Sequence, residues 1–161
     1  MYYFDGLSTP IGRLHVVVTD KALLRVYFPG ERIAERAERD GKHELILLVK
    51  TQLAEYFAGE RRRFDIPLSL EGTDFQKKVW GVLKKISYGK TLTYAEEAKR
   101  LRRPSATRAV ASANGKNPIP IIVPCHRVVP SGGGVGGYSG GSERKKLLLK
   151  LEQHYLANLK S

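Results

Sequence analysis

Two hydrophobic periodicities divide this chain, and their order decides what it can fold into. Strand-like runs come first. Tyr2–Phe4 and Leu14–Val18 are rich in aromatic and β-branched residues, with Pro10 and Gly12 between them. Leu23–Phe28 reads as a third strand, entered through a turn at Asp20-Lys21 and stopped by Pro29-Gly30. Residues 31–42 are highly charged and predict a solvated helix or a loop. Helical spacing begins with Leu45, Leu48, Val49, Leu53, Tyr56 and Phe57, and Gly59 ends that helix. Arg61–Leu70 holds one more short strand candidate, and Glu71-Gly72 reads as a junction.

Beyond the junction the pattern is helical. Thr73 and Gln76 form a capping box ahead of Phe75, Val79, Val82, Leu83 and Ile86, and Gly89 is expected to close this helix. Thr93 and Glu96 repeat the capping box and open a short helix from Tyr94 to about Leu101. Pro104 excludes helix at the residue before it, so Ser105 is expected to cap a third helix reaching Asn114. Pro118–Val129 is β-branched and proline-punctuated, Gly132–Gly141 is a glycine-rich loop, and a last helix follows Ser142 with Leu147, Leu148, Leu151 and Tyr155. The expected fold is therefore α+β. A small strand-and-helix domain occupies residues 1–70, and a mostly helical domain with a helix-turn-helix occupies 71–161.

Charge separates the same two halves. Residues 1–70 carry 11 basic and 10 acidic side chains, whereas 71–161 carry 17 basic and 6 acidic. The net charge of +12 thus belongs almost wholly to the second half. A polyanionic partner, nucleic acid first, is one cause; a solubilising basic surface is the other. No apolar run approaches the roughly 20 residues that span a bilayer, so no membrane association is expected. The opening MYYFDGLSTP has no basic start followed by an apolar run, and no secretory signal is expected. The single cysteine excludes an internal disulfide and a multi-thiolate zinc site, and it fits a reducing, cytoplasmic compartment.

That cysteine lies in the most distinctive segment, Asn117-Pro-Ile-Pro-Ile-Ile-Val-Pro-Cys-His-Arg-Val-Val-Pro130. A lone cysteine is usually a small buried hydrophobe. Here His126 and Arg127 follow Cys125, and such neighbours favour thiolate. On a strand, adjacent side chains point to opposite faces, so a direct Cys125–His126 bond needs a turn, or a water must bridge them. Glu152 is the best orienting acid. Its helical neighbours Leu148, Leu149, Tyr155 and Leu156 are all apolar, so its carboxylate is expected to be buried and partnered. Glu96 and Glu97 read as capping or solvent-facing. The helix Ala106–Ala113 turns Val110 and Ala113 inward and leaves Thr107, Arg108 and Ala111 outside. That small outer face suits close approach to a nucleic-acid backbone better than base-edge readout. Tyr138 offers a phenolic donor from the glycine-rich loop.

The string Pro124-Cys-His-Arg-Val128, with Asn117-Pro118 before it and Gly137-Tyr-Ser-Gly-Gly141 after it, resembles the O6-alkylguanine-DNA alkyltransferases. The resemblance covers residues 73–155 well, and the first half by size and element order only. It implies an RNase H-like N-terminal domain and direct, single-turnover repair of duplex DNA containing O6-alkylguanine, by a monomer that needs no cofactor or metal. Cys125 would accept the alkyl group, His126 would take its proton through a water, and Glu152 would orient His126. Asn117 would tie the helix-turn-helix to the active-site segment, and Tyr138 would assist the departing guanine. Arg108 would fill the gap in the base stack and Tyr94 would act near the flipped nucleotide's phosphate, with Thr107, Ala111 and Arg127 also among the DNA contacts. Pro120 would wall the base pocket, and Val128, Ser139 and Gly140 would hold the guanine edge. Cys125 distinguishes the chain from alkyltransferase-like proteins, which lack the cysteine and only bind lesions. A non-catalytic lesion-binding module is the alternative. Residues 1–70 contain no cysteine, so neither a zinc site nor a second alkyl acceptor is expected there.

Overall fold

The first three strands form an antiparallel meander. β1 (Tyr2–Thr9) and β2 (Gly12–Val18) are joined by a tight turn at Gly12, whose φ of 106° is open to glycine and barred to most residues. β3 (Leu23–Tyr27) pairs with β2. The charged stretch is neither helix nor plain loop: Ala37–Arg39 forms β4, which pairs parallel with β1, so the sheet order is β3-β2-β1-β4. Three residues are too few to show a period of two. Arg39 holds the edge by bonding Asp5 at 2.9 Å and lying 4.9 Å over the Phe4 ring. α1 (Glu44–Phe57) covers β1 and β2 with Ile46, Val49, Leu53 and Tyr56. The candidate strand at 61–70 is reduced to a bridge between Leu23 and Leu68, where Leu23 N donates to Pro67 O and Ser69 N donates to Leu23 O.

The structure is a computed structural model describing residues 1–158. It divides into two compact units, Met1–Glu71 and Gly72 onward. In the second unit both capping boxes form. α2 (Asp74–Leu83) starts at Thr73 and α3 (Tyr94–Arg100) at Thr93. α2 stops at Leu83, short of the expected Gly89; Ile86 is buried in the turn beyond it. Gly89, at φ 76°, serves a close approach instead. A side chain there would meet Leu156 at 2.6 Å, and its carbonyl accepts from Gln153 at 2.7 Å. α4 (Thr107–Gly115) begins one residue later than expected, with Ala106 in place of Ser105 as its N-cap and no side-chain cap bond. Trp80, which the periodicity of α2 leaves off its apolar face, is 1% exposed and donates Nε1–H to Ala113 O at 2.9 Å, fastening α2 to α4.

β5 (Leu92–Thr93) pairs parallel with β6 (Val128–Val129), and α5 (Ser142–Asn158) closes the unit. The stripe that α5 buries is Lys145, Leu148 and Glu152, whereas Leu147 is exposed. Among the described residues, no helix is long and apolar enough to cross a membrane.

Candidate active site and nucleic-acid interface

Asn117 sets the path of the chain into the site. Its Nδ2 donates to Val123 O at 2.7 Å, and its Oδ1 accepts from Ile119 N at 3.0 Å. One side chain therefore supplies the backbone partners that a proline-broken segment cannot find in a sheet. Within this loop Ile121 has φ 74°, a conformation that a β-branched residue adopts only when its surroundings impose it. The segment expected to be strand at the cysteine is a 3₁₀ turn, Cys125–Arg127. A 3₁₀ turn rotates successive side chains by about 120°. Cys125 thus faces a cleft while His126 and Arg127 both reach Glu152.

Glu152 is 1% exposed and accepts hydrogen bonds from His126, Arg127 and Gly89. His126 Nε2 lies at 2.6 Å, Arg127 Nε at 2.9 Å, Arg127 Nη2 at 3.0 Å and Gly89 N at 3.1 Å. Burial alone would raise its pKa, but the bonds and charges of His126 and Arg127 outweigh burial and hold it well below the usual carboxylate range. Burial also lowers the His126 pKa, against the pull of Glu152. The imidazole is therefore neutral, with Nε2–H donating to Glu152 and Nδ1 left as a lone-pair acceptor. That Nδ1 is buried without a hydrogen-bond partner among the described residues.

The cleft measures about 410 Å³ and is walled by Tyr94, Ala111, Cys125, Tyr138 and Ser139, among others. Cys125 is only 5% exposed, and burial pushes its thiol up to about 11, against smaller opposing effects of the Asn117 side chain and the Lys145 charge. The resting thiol is protonated and needs a base. Burial, then the nearby Cys125, raises the Tyr138 phenol well above its ordinary value, so it stays a donor. Lys145 Nζ lies 3.2 Å from Gly137 O and 3.4 Å from Tyr94 Oη, which ties the glycine-rich loop to α3. Burial lowers this lysine to about 8. No group of residues suited to a metal ion occurs among the described residues.

The structure brings together Cys125, Tyr94, Tyr138, Ser139 and Ala111 at the cleft, with His126, Glu152 and Asn117 buried behind it. Arg108 is exposed on α4 and Thr107 half-buried. Arg127, expected among DNA contacts, is corrected: it is 5% exposed, and besides Glu152 it donates Nη1 to Ile86 O at 2.7 Å, leaving no free face for a phosphate. Pro120, Val128 and Gly140 are buried outside the cleft lining. Glu97, expected to be capping or solvent-facing, is fully buried beneath α4 and bonded to Asn114, which itself lines the cleft. Lys145 was missed as well. A spacing signal existed for both. Once Glu96 is spent on the cap, Tyr94, Glu97, Ala98 and Leu101 form the inward stripe of α3, as Lys145, Leu148 and Glu152 do on α5.

Residues 74–154 match the family model "6-O-methylguanine DNA methyltransferase, DNA binding domain", and residues 2–70 match "6-O-methylguanine DNA methyltransferase, ribonuclease-like domain". A Methanosarcina acetivorans protein named "Methylated-DNA--protein-cysteine methyltransferase" is 44% identical, over 93% of this chain and 97% of its own. The constitutive Bacillus subtilis protein of that name is 39% identical over 95% and 96%. Among solved structures, Mycobacterium tuberculosis OGT in complex with DNA superposes with a TM-score of 0.90 at 40% identity, covering 95% of this chain and 94% of that one. The α+β fold, the two matched domains and the level of identity agree, and the chain belongs to the 6-O-methylguanine DNA methyltransferase family.

Proposed function

We propose that this protein repairs DNA directly, as a methylated-DNA–protein-cysteine methyltransferase that moves the alkyl group of an everted O6-alkylguanine to Cys125. The observation that carries this reading is a cysteine walling a cleft, one residue away in a 3₁₀ turn from a fully buried His126–Glu152 pair. Nδ1 of His126 takes the thiol proton through a bridging water, and anionic Glu152 stabilises the resulting imidazolium. The thiolate attacks the saturated alkyl carbon in line. The S–C bond forms, the C–O6 bond breaks, and its electron pair returns to the guanine. Tyr138 donates a hydrogen bond that strengthens as the base becomes negative, and the proton removed from sulfur ends on the guanine. The product is a thioether that water does not cleave, so each molecule acts once.

On this reading residues 71–161 bind DNA and accept the alkyl group, and residues 1–70 are structural. α4 lies against the duplex through Thr107 and Ala111, with Arg108 replacing the everted base in the stack. Base eversion costs a few kcal/mol, roughly what one inserted side chain and a pocket contact offset. Tyr94 sits at the cleft near the nucleotide's phosphate and Ser139 lines the base site, while Pro120, Val128 and Gly140, outside the lining, act on the base site only from behind it. The +11 balance of 17 basic against 6 acidic residues in this half favours a phosphate backbone as partner. A free nucleophilic thiol suits a reducing cytoplasm, and the protein acts as a monomer without cofactor.

The test is intact-protein mass after incubation with duplex DNA bearing O6-methylguanine. One methyl group per protein is expected, absent in Cys125→Ala. Salt-sensitive binding with no gain of mass would assign a lesion-binding module instead, and repeated turnover of an ester without an adduct would assign a cysteine hydrolase.

A further inference from the structure

The turn that joins α3 to α4 holds a charged side chain in a strained place. Arg102 has φ 59°, the left-handed region that suits glycine and disfavours a side chain. Arg102 N donates to Lys99 O at 2.9 Å and Arg103 N donates to Ala98 O at 3.0 Å. This pair of bonds closes a helix, and glycine usually stands where Arg102 does. Lys99, Arg100, Arg102 and Arg103 are all exposed. The macrodipole of α3 favours Lys99 and Arg100 in its last turn, but its effect fades there and Arg102 lies beyond it. Arg103 rests over the Phe75 ring at 5.5 Å. Arg102 has no ion pair or side-chain hydrogen bond among the described residues. In the first unit, by contrast, Arg25, Arg39, Lys50 and Arg61 all pair with carboxylates. No acidic residue lies between Glu97 and Glu143, a stretch with seven basic ones, of which only Arg127 is buried. A strained residue whose charge meets no internal partner points to an outside one.

We propose that the α3–α4 turn is a second grip on duplex DNA, in which Arg102 takes a backbone phosphate away from the everted nucleotide. This rests on the reading above that α4 lies against the duplex. Residues 102–105 are exposed without a break and lead into the start of α4. A guanidinium offers a phosphate two parallel N–H bonds, and the phosphate supplies the counter-charge that this stretch lacks. Tyr94 begins α3 and Arg102 lies past its end. At about 1.5 Å of rise per residue they stand about 12 Å apart. Successive base pairs rise about 3.4 Å, so the two residues serve different nucleotides. Such a contact fixes how the protein sits on the backbone and carries no sequence information.

The test measures binding to two undamaged duplexes of unrelated sequence across a range of salt. Alongside it, alkylation of Cys125 by free O6-benzylguanine is followed by intact mass. Arg102→Gly should weaken binding about fivefold on both duplexes and lower the slope of log affinity against log salt by about 0.9, the share of one phosphate. The rate constant with the free base should not change. The denaturant midpoint should not fall, because glycine suits the turn. Arg102→Lys and Arg102→Gln keep the backbone strain and differ in charge. The lysine variant should keep the parent slope and the glutamine variant should lose it, and this pair decides if the glycine variant folds poorly. An unchanged slope in Arg102→Gly or in Arg102→Gln overturns the inference, as does an equal loss with the free base or a loss confined to one sequence. A parent protein that takes the benzyl group but binds no duplex overturns it too. A parent protein that does neither overturns the alkyl-transfer reading, and this inference with it.

Discussion

Two buried carboxyl groups of the second unit, Glu97 and Glu152, are at most 1% exposed and yet are opposite in character. Glu152 accepts from an imidazole, from two nitrogens of a guanidinium and from a backbone amide, and is held anionic. Glu97 accepts from a single amide and is pushed up to about 7. Burial is common to both; the number and charge of the donors decide the sign. A carboxylate with cations beside it serves as a fixed negative charge. One with a lone neutral donor is a titrating group that fixes geometry.

The comparison breaks most readily at Glu152. Glu152→Ala would leave Arg127 charged and unpaired in the interior, a loss expected at about 3–5 kcal/mol in urea unfolding. A change below about 1 kcal/mol would mean that water already relaxes this cluster. Glu152→Gln keeps the shape and removes the charge. It should slow alkylation of Cys125 about a hundredfold if Glu152 stabilises the imidazolium, and an unaltered rate constant would remove it from the relay.

The pH dependence of stability separates the two groups by sign. Glu152 and His126 are both depressed in the folded state. Their contribution is present above their unfolded values and is lost as pH falls, so acid destabilises this cluster. Glu97 is raised, so the folded state holds its proton while the unfolded chain releases it. Its penalty grows as pH rises from the ordinary carboxylate range toward about 7 and is full above it. Glu97→Gln should therefore raise stability by about 2 kcal/mol at about pH 8 and much less at about pH 4, measured by denaturant midpoints. Equal gains at both pH values would contradict the raised carboxyl. The smallest effect lies away from both carboxyls. Arg108→Ala should reduce repair in duplex DNA about tenfold while leaving reaction with free O6-benzylguanine unchanged. Equal losses on the two substrates would end its stack-filling role.

Much of this was legible in residue order. Both capping boxes are local, four-residue signals and formed as read, and the first three strands carry their own β-branched composition. Burial of Glu152 followed from four apolar helical neighbours. Charged β4 was not legible, because three residues show no period and their partner, β1, lies about thirty residues away in sequence. Arg127 was misplaced for a related reason. A guanidinium reads as a surface group until a buried carboxylate and a free carbonyl arrive from α5 and from the turn at Ile86. Glu97 was hidden by its neighbour, since Glu96 and Glu97 look alike until one of them caps the helix.

Local chemistry along the chain determined where α2 and α3 begin, which half is basic and which residue is the candidate nucleophile, because caps, breakers and reactive groups act over a few positions. Only tertiary structure decided which ionisable groups are charged. The donors that set a carboxyl's protonation come from other elements, and their distances exist only once the helices have packed.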